Sequence, residues 1–210
     1  MAKGEKLGCF CLTEPQAGSD ASSLRTRAVL EGNQWVLNGT KQFITSGAKA
    51  DYALVFAVTD PDAGKKGLSC FIVPTDTPGY QVARLEKKMG QRAHDTAQLV
   101  FEDIRVEPSQ LVGELHDGFK NAVFGVSMGR IYNSARALGL ARWSLDLALD
   151  YSTTRQAFGK PISEYQGVTF PLAESAMEMH GAHLMGLNAA MLLDRGEAAI
   201  KELSMAKAYA

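Results

Sequence analysis

Short apolar runs separated by turn residues fill the first half of the chain. Each run is bounded by glycine, proline, asparagine or aspartate, which is typical of strands joined by tight connections. Gly32-Asn33 forms a tight-turn pair between two such runs. The pattern predicts about seven strands and an antiparallel β-sandwich or barrel over residues 1–112. The predicted strands cover residues 7–12, 25–31, 34–45, 52–58, 68–73, 80–85 and 97–106.

The character of the chain changes near Gly113. From Asp117 onward, helix-forming residues dominate and apolar residues recur at spacings of three and four. Pro171 predicts a kink or a delayed start of the second long helix, which should end at 194–196 before a last helix opens at Glu197. We therefore predict an α-helical bundle segment over 113–210, so the fold class is α+β. One predicted apolar stripe consists of Leu138, Ala141, Leu145, Ala148 and Leu149.

Composition describes an ordinary globular chain. Of the 210 residues 46% are hydrophobic and 21% are charged, and the formal net charge is -1, which gives no electrostatic basis for a nucleic-acid partner. No apolar run reaches the roughly 20 residues needed to span a bilayer, and the start lacks the apolar segment of a signal peptide. Sparse cysteines suit a reducing compartment, so we expect a cytoplasmic protein, or one of the mitochondrial matrix if eukaryotic.

Two sets of candidate metal ligands lack the pattern of a metal site. Cys9, Cys11 and Cys70 do not have metal-type spacing, and we interpret them as packed thiols. His180 and His183 share a helical face, but no third ligand is evident nearby. We predict no metal site.

The segment Cys11 to Asp20 is the most informative part of the sequence. A strand-like run stops at Glu14-Pro15, where proline disfavours α geometry at the preceding residue and cannot donate to a ladder. Gly18 permits close backbone approach, and Thr13 and Ser19 offer hydroxyl groups. Such a strand end suits a flat, polar-edged ligand, although composition alone favours an ordinary exit from a strand.

The exact string from Cys11 to Ser23 resembles the flavin-binding signature of the acyl-CoA dehydrogenase family. Five further motifs follow in the family's order, and together the matches cover essentially the whole chain. They are Gln42 to Gly47, Gly113 to Phe119, Met128 to Arg130, Thr154 to Lys160 and Glu164 to Gln166.

The resemblance implies an enzyme that binds FAD and converts an acyl-CoA to its trans-2-enoyl-CoA, passing electrons to an electron-transfer flavoprotein. It also implies a homodimer or homotetramer. Two alternatives remain open: an acyl-CoA oxidase or other flavin oxidase on the same scaffold, or a flavin- or acyl-binding module without turnover.

Carried over by position, the family pattern implies several cofactor contacts in the first half. Leu12 and Thr13 are expected along the flavin edge, and Ser19 is expected nearer the pyrophosphate or the CoA ligand. Phe43 is expected to flank the ring, in place of the tryptophan common in the family. Ile44 and Thr45 are also expected to contact the cofactor, with the Thr45 hydroxyl reaching towards flavin N5.

The same pattern implies further contacts in the helical half. Arg155, Phe158 and Gln166 match positions that reach the FAD of a partner subunit, where arginine can bind a pyrophosphate bidentately. Arg130 and Ser127 match the CoA side, although many family members have aspartate at the position of Ser127.

A catalytic base is missing from the matched residues. Some members carry it just before the arginine matched by Arg130, but Gly129 stands there, and a residue without a side chain cannot remove a proton. The sequence also ends inside a helical pattern, so we expect a fragment, with the base lying beyond Ala210 and little turnover from this chain alone.

Overall fold

The computed structural model describes residues 1–210. The chain divides into two compact units, residues 1–123 and residues 124–210, and each unit is described by itself. The first unit is built on a sheet and the second on helices.

The first unit contains a curled seven-stranded sheet, which confirms the predicted fold class. Six of the seven strands lie side by side in the order β1-β4-β2-β3-β7-β6, and the seventh, β5, pairs with β4. Most pairs are antiparallel, but β1 and β2 both run parallel to β4, so the sheet is mixed. The strands are β1 (Gly8–Cys11), β2 (Arg27–Glu31), β3 (Gln34–Thr45), β4 (Tyr52–Val58), β5 (Leu68–Pro74), β6 (Tyr80–Leu85) and β7 (Thr96–Val106).

Inward-facing apolar side chains of these strands form the core of the first unit. Leu37, Val55, Phe71 and Leu99 are all completely buried there. Gly32 has φ 63° at the β2–β3 connection, where a two-residue hairpin turn needs a left-handed first residue. The alternation of apolar residues and the turn chemistry therefore agree, which fixes the register of this hairpin.

A β-bulge interrupts β3 close to its end. Lys41 pairs with Leu99 of β7, whereas Ile44 pairs with Ala97, so β3 carries one extra residue between them. Phe43 lies in this bulge with φ 58°, a left-handed conformation that a bulky residue rarely adopts. The bulge allows Lys41 and Ile44, three positions apart, both to point into the sheet interior.

The second unit is helical, as predicted. It contains most of α1 (Gly118–Thr154), a small hairpin of β8 (Gln156–Ala157) and β9 (Lys160–Pro161), then α2 (Gln166–Asp194) and α3 (Ile200–Tyr209). Helix α2 begins at Gln166 and continues through Pro171, so the idea of a delayed start is wrong. Helix α3 begins at Ile200 rather than at Glu197, because Ala199 takes a left-handed conformation with φ 46° just before it.

A small core holds the helices of the second unit together. Ala189 and Leu203 are completely buried and pack with Ile131, Leu192 and Leu193. Several large apolar side chains on α1 and α2 stay exposed, among them Tyr132, Leu140, Trp143, Phe170 and Met177. No helix has a stretch long and apolar enough to cross a membrane.

Candidate functional site

The end of β1 and the bulged end of β3 lie side by side. The backbone N–H of Gln42 donates to the carbonyl oxygen of Thr13 at 2.8 Å. The two segments that the resemblance assigned to a flavin, Leu12-Thr13 and Phe43 to Thr45, are therefore neighbours in the first unit.

Several polar groups here are available to a ligand. Thr13 is half-buried and uses its carbonyl oxygen within the chain, while its hydroxyl has no partner there. The side chains of Ser19 and Thr45 are exposed, and their hydroxyls also make no hydrogen bond within the chain. Free hydroxyls at strand ends can donate to or accept from the polar edge of a planar ligand.

Phe43 is an exposed aromatic residue of β3, two positions before Thr45. Phe43 is 62% exposed, although phenylalanine side chains are usually buried. Its left-handed backbone conformation also costs free energy. Strain and exposure together in one aromatic residue are typical of a binding site. The resemblance predicted Phe43 as a flavin contact, whereas its left-handed conformation has no signal in the sequence.

Ile44, which the resemblance also assigned to the flavin, has a buried side chain. It is 2% exposed, and its side chain belongs to the core of the first unit. The bulge explains this position, because the extra residue at Phe43 turns the next side chain inward.

A buried ion pair that was not predicted from the sequence joins Glu14, the residue after Thr13, to Lys41 of β3. Lys41 Nζ is 2.8 Å from Glu14 Oε1, and the two side chains are 0% and 2% exposed. Lys41 Nζ also donates to the carbonyl oxygens of Leu12 at 3.1 Å and Phe56 at 2.7 Å. A lysine at an inward position of an apolar strand was the signal that could have revealed the pair.

Glu14 is equally well satisfied. Its carboxylate accepts hydrogen bonds from the backbone N–H groups of Arg25 at 2.7 Å and Thr26 at 3.0 Å, and from Gln16 Nε2 at 2.7 Å. Burial alone would raise the pKa of Glu14, but Lys41 and these donors hold the pKa below its ordinary value. Burial lowers the pKa of Lys41, and the adjacent carboxylate opposes that shift. With every donor and acceptor used, the pair is an anchored ion pair rather than a reactive acid or base.

The second unit presents its own exposed aromatic residue on the β8–β9 hairpin. Phe158 and Gly159 form the two-residue turn with φ 49° and 80°, and Phe158 is 97% exposed. The Tyr165 hydroxyl donates to the carbonyl oxygen of Ala157 at 2.9 Å, and Lys160 Nζ lies 4.4 Å from the centre of the Tyr165 ring. These contacts hold the turn in place. An asparagine-glycine pair would adopt the two left-handed conformations of this turn with less strain than Phe158-Gly159 does.

The remaining predicted residues of the second unit have different degrees of exposure. Arg155 and Gln166 are exposed on either side of the hairpin, and Arg130 is half-buried on α1. Ser127, also on α1, is largely buried with 8% exposure. Arg155 lies immediately after α1, where its backbone N–H donates to the carbonyl oxygen of Tyr151 at 2.9 Å.

Both units match one protein family. The profile described as "Acyl-CoA dehydrogenase, middle domain" matches residues 9–104, and the profile described as "Acyl-CoA dehydrogenase, C-terminal domain" matches residues 116–210. The chain belongs to the acyl-CoA dehydrogenase family. Members of this family are FAD-dependent oxidoreductases.

Individual acyl-CoA dehydrogenases are similar over nearly the whole chain. The human short-chain specific acyl-CoA dehydrogenase, mitochondrial, is 45% identical over 207 residues, which are 99% of this chain and 50% of that protein. Butyryl-CoA dehydrogenase from Megasphaera elsdenii is 40% identical with a TM-score of 0.93, covering 97% of this chain and 54% of that one.

A third similar chain comes from a structure described as the electron transferring flavoprotein of Acidaminococcus fermentans. It is 42% identical with a TM-score of 0.95, and the match covers 99% of this chain and 55% of that one. The chain thus spans about half the length of the relatives it matches.

The open face of the first unit fits the family's cofactor. A flavin needs a flat apolar contact and hydrogen-bonding groups at its edge. Phe43 offers an exposed ring, and Thr13 and Thr45 offer hydroxyls without partners in the chain. No group of three or more histidine, cysteine or acidic residues is assembled that could hold a metal ion.

Proposed function

We propose that this protein binds FAD on the face formed by Leu12, Thr13, Phe43 and Thr45. The main support is the strained, exposed Phe43 on the same strand end as Thr45 and next to Gln42, whose backbone N–H binds Thr13; neither threonine hydroxyl has a partner in the chain. Bound FAD would supply a two-electron acceptor. Thr13 and Thr45 would orient its polar edge, and Phe43 would exclude water from one side of the ring.

The proposed substrate is an acyl-CoA thioester, oxidised to the trans-2-enoyl-CoA. The similarity to a human short-chain enzyme and to a butyryl-CoA dehydrogenase supports a short acyl chain. Ser19 is exposed and can accept or donate a hydrogen bond, and the Arg130 guanidinium carries a positive charge that suits a CoA phosphate. Ser127, being buried, would act on the CoA side by supporting α1 around Arg130.

The reaction also requires a carboxylate that removes the α-proton of the thioester. Glu14 cannot serve, because Lys41 and three other donors already bind its oxygens. Gly129 has no side chain, so we place the base outside these 210 residues. General-base catalysis contributes about 10²–10⁴-fold to a rate, and the 210-residue chain alone should therefore turn over slowly at best.

We further propose that the protein works as a homodimer or homotetramer. Arg155, Phe158 and Gln166 are exposed around one fixed hairpin, and each could reach an FAD held by a second copy. The exposed apolar residues of α1 and α2 support burial against other helices. An electron-transfer flavoprotein is the proposed acceptor, supported by the similarity to a chain in the structure described under that name.

The decisive experiment measures FAD binding and anaerobic reduction of the full-length protein. We expect FAD to bind, the Phe43→Ala variant to bind it at least about tenfold more weakly, and butyryl-CoA to bleach the bound flavin. Leu30→Ala is the matched control, because Leu30 is also an exposed apolar residue of the first unit, 53% exposed. A protein that takes up no FAD would refute the proposal, and rapid reoxidation by oxygen would identify an oxidase instead.

A further inference from the structure

The buried pair of Glu14 and Lys41 connects the segments that form the proposed flavin face. We propose that it is a positioning pair, which holds the Leu12-Thr13 strand end and the bulge of β3 in register for the cofactor. This inference builds on the proposed FAD site and assigns a role to two residues that do not themselves face it.

Consecutive residues of β3 hold consecutive carbonyl groups of the β1 end. Lys41 Nζ donates to the oxygen of Leu12 at 3.1 Å, and the backbone N–H of Gln42 donates to the oxygen of Thr13 at 2.8 Å. Phe43, the next residue, is the bulged aromatic. The position of the aromatic ring relative to Thr13 is therefore set within two residues of the ion pair.

Glu14 fixes the other side of the same segment. Its carboxylate binds the backbone N–H groups of Arg25 and Thr26, which closes the loop between residues 14 and 26. Ser19 lies in this loop. One carboxylate thus holds the loop that carries the proposed CoA-side hydroxyl, while its partner lysine holds the flavin-side strand end.

Stability alone does not explain why charges occupy this position. Removing two charges from water is costly, and well-packed apolar side chains of similar volume often replace a buried ion pair with no loss of stability. The pair offers what an apolar pair cannot, namely directional hydrogen bonds to Leu12, Phe56, Arg25 and Thr26. Directional contacts define geometry, which a cofactor site needs to within a fraction of an ångström.

The test separates folding from positioning by comparing three variants of the full-length protein with the wild type. Glu14→Gln and Lys41→Met each leave one charge buried without its partner, and both should lose stability. The double variant Glu14→Gln/Lys41→Met carries no buried charge at these two positions and should recover much of that stability. We measure urea unfolding without FAD, FAD dissociation by fluorescence, and the visible absorption bands of the bound flavin.

We expect the double variant to bind FAD roughly ten- to hundredfold more weakly than the wild type, since the hydrogen bonds that hold Leu12 are lost. Its flavin bands should shift with the altered surroundings of the ring. Ile104→Ala provides a control for stability, because Ile104 is completely buried on β7 in the core of the same unit. It should lower stability while FAD affinity changes less than threefold.

The comparison has a defined negative result. A double variant that binds FAD as tightly as the wild type with unchanged absorption bands would overturn the positioning role. If the double variant recovers no stability, its FAD affinity is compared with that of an equally destabilised Ile104→Ala. An equal loss of FAD affinity would overturn the positioning role, and a clearly larger loss in the double variant would support it. A wild type that binds no FAD would instead refute the proposed function.

Discussion

The strained backbone at Phe43 predicts an unusual order of stabilities among variants of this residue. A left-handed conformation costs a residue with a Cβ about 1–2 kcal/mol, and glycine avoids this cost. Phe43 has φ 58° in the β3 bulge. We therefore expect the Phe43→Gly variant to be more stable than Phe43→Ala, the reverse of the usual order in a strand.

The expected magnitudes follow from exposure and strain. The greater freedom of glycine in the unfolded chain offsets about 0.4–1 kcal/mol of the strain that it relieves. The free energy of unfolding of Phe43→Gly should therefore exceed that of Phe43→Ala by about 0.8 kcal/mol. Phe43 is 62% exposed, so about two-fifths of its surface is covered. If full burial of a phenylalanine contributes about 1.5–3 kcal/mol, losing the ring costs about 0.6–1.2 kcal/mol. Phe43→Gly should thus match the wild type, and Phe43→Ala should fall about 1 kcal/mol below it.

The assay is urea unfolding of the FAD-free chain, followed by the fluorescence of Trp35. Trp35 packs against Phe71 in the first unit with ring centres 5.6 Å apart, and it should report unfolding of the unit that contains residue 43. Trp143 is 62% exposed in the second unit, so a Trp143→Phe background removes its signal at little cost.

Val29 provides the matched site for this comparison. It is an exposed residue of β2 with 53% exposure, and its φ is not left-handed. At Val29, glycine should be less stable than alanine by about 0.5–1 kcal/mol. If glycine is also the less stable variant at position 43, the left-handed bulge and the strain argument built on it are wrong.

Three further predictions concern other parts of the chain. If the Thr45 hydroxyl stabilises the reduced flavin, Thr45→Val in the full-length enzyme should slow flavin reduction roughly 10- to 100-fold in rapid-reaction measurements. An unchanged rate of reduction would mean that this hydroxyl does not contact the flavin. Arg155→Ala should release FAD on dilution, and a variant that stays fully loaded would exclude a cofactor role for this arginine. Because the folded-state pKa of Glu14 lies below its ordinary 4.5, stability from the ion pair should be present above that pH and decline as the pH falls through the lowered pKa. The stability gap between wild type and Glu14→Gln should therefore narrow in acid, and a constant gap would contradict the pairing.

Local patterns predicted the elements of the first unit closely. The runs at 34–45, 52–58 and 80–85 became β3, β4 and β6 with the same bounds, because alternation and turn residues act over a few positions. The parallel pairing of β1 with β4 was not predicted. It joins residues more than forty positions apart, and no local pattern encodes such a contact.

The candidate site was predicted only in part. The resemblance pointed to Thr13, Phe43 and Thr45; in the structure Phe43 and Thr45 are exposed, and Gln42 next to Phe43 is hydrogen-bonded to Thr13. The bulge could not be predicted, since no glycine marks it, and with it the inward turn of Ile44 was missed. Burial of Lys41 was not predicted either, and a charged residue within a strand ordinarily faces solvent.

The Glu14–Lys41 pair also restricts how this sequence can change over time. Losing one partner of a buried pair costs about 3–5 kcal/mol, a large share of the roughly 5–15 kcal/mol that holds a domain folded. A lineage that replaced either residue first would pass through a chain that is close to unfolding, even if the final double replacement were well tolerated. The two positions, separated by most of two strands and a loop, can therefore be substituted only together or after stabilising changes elsewhere.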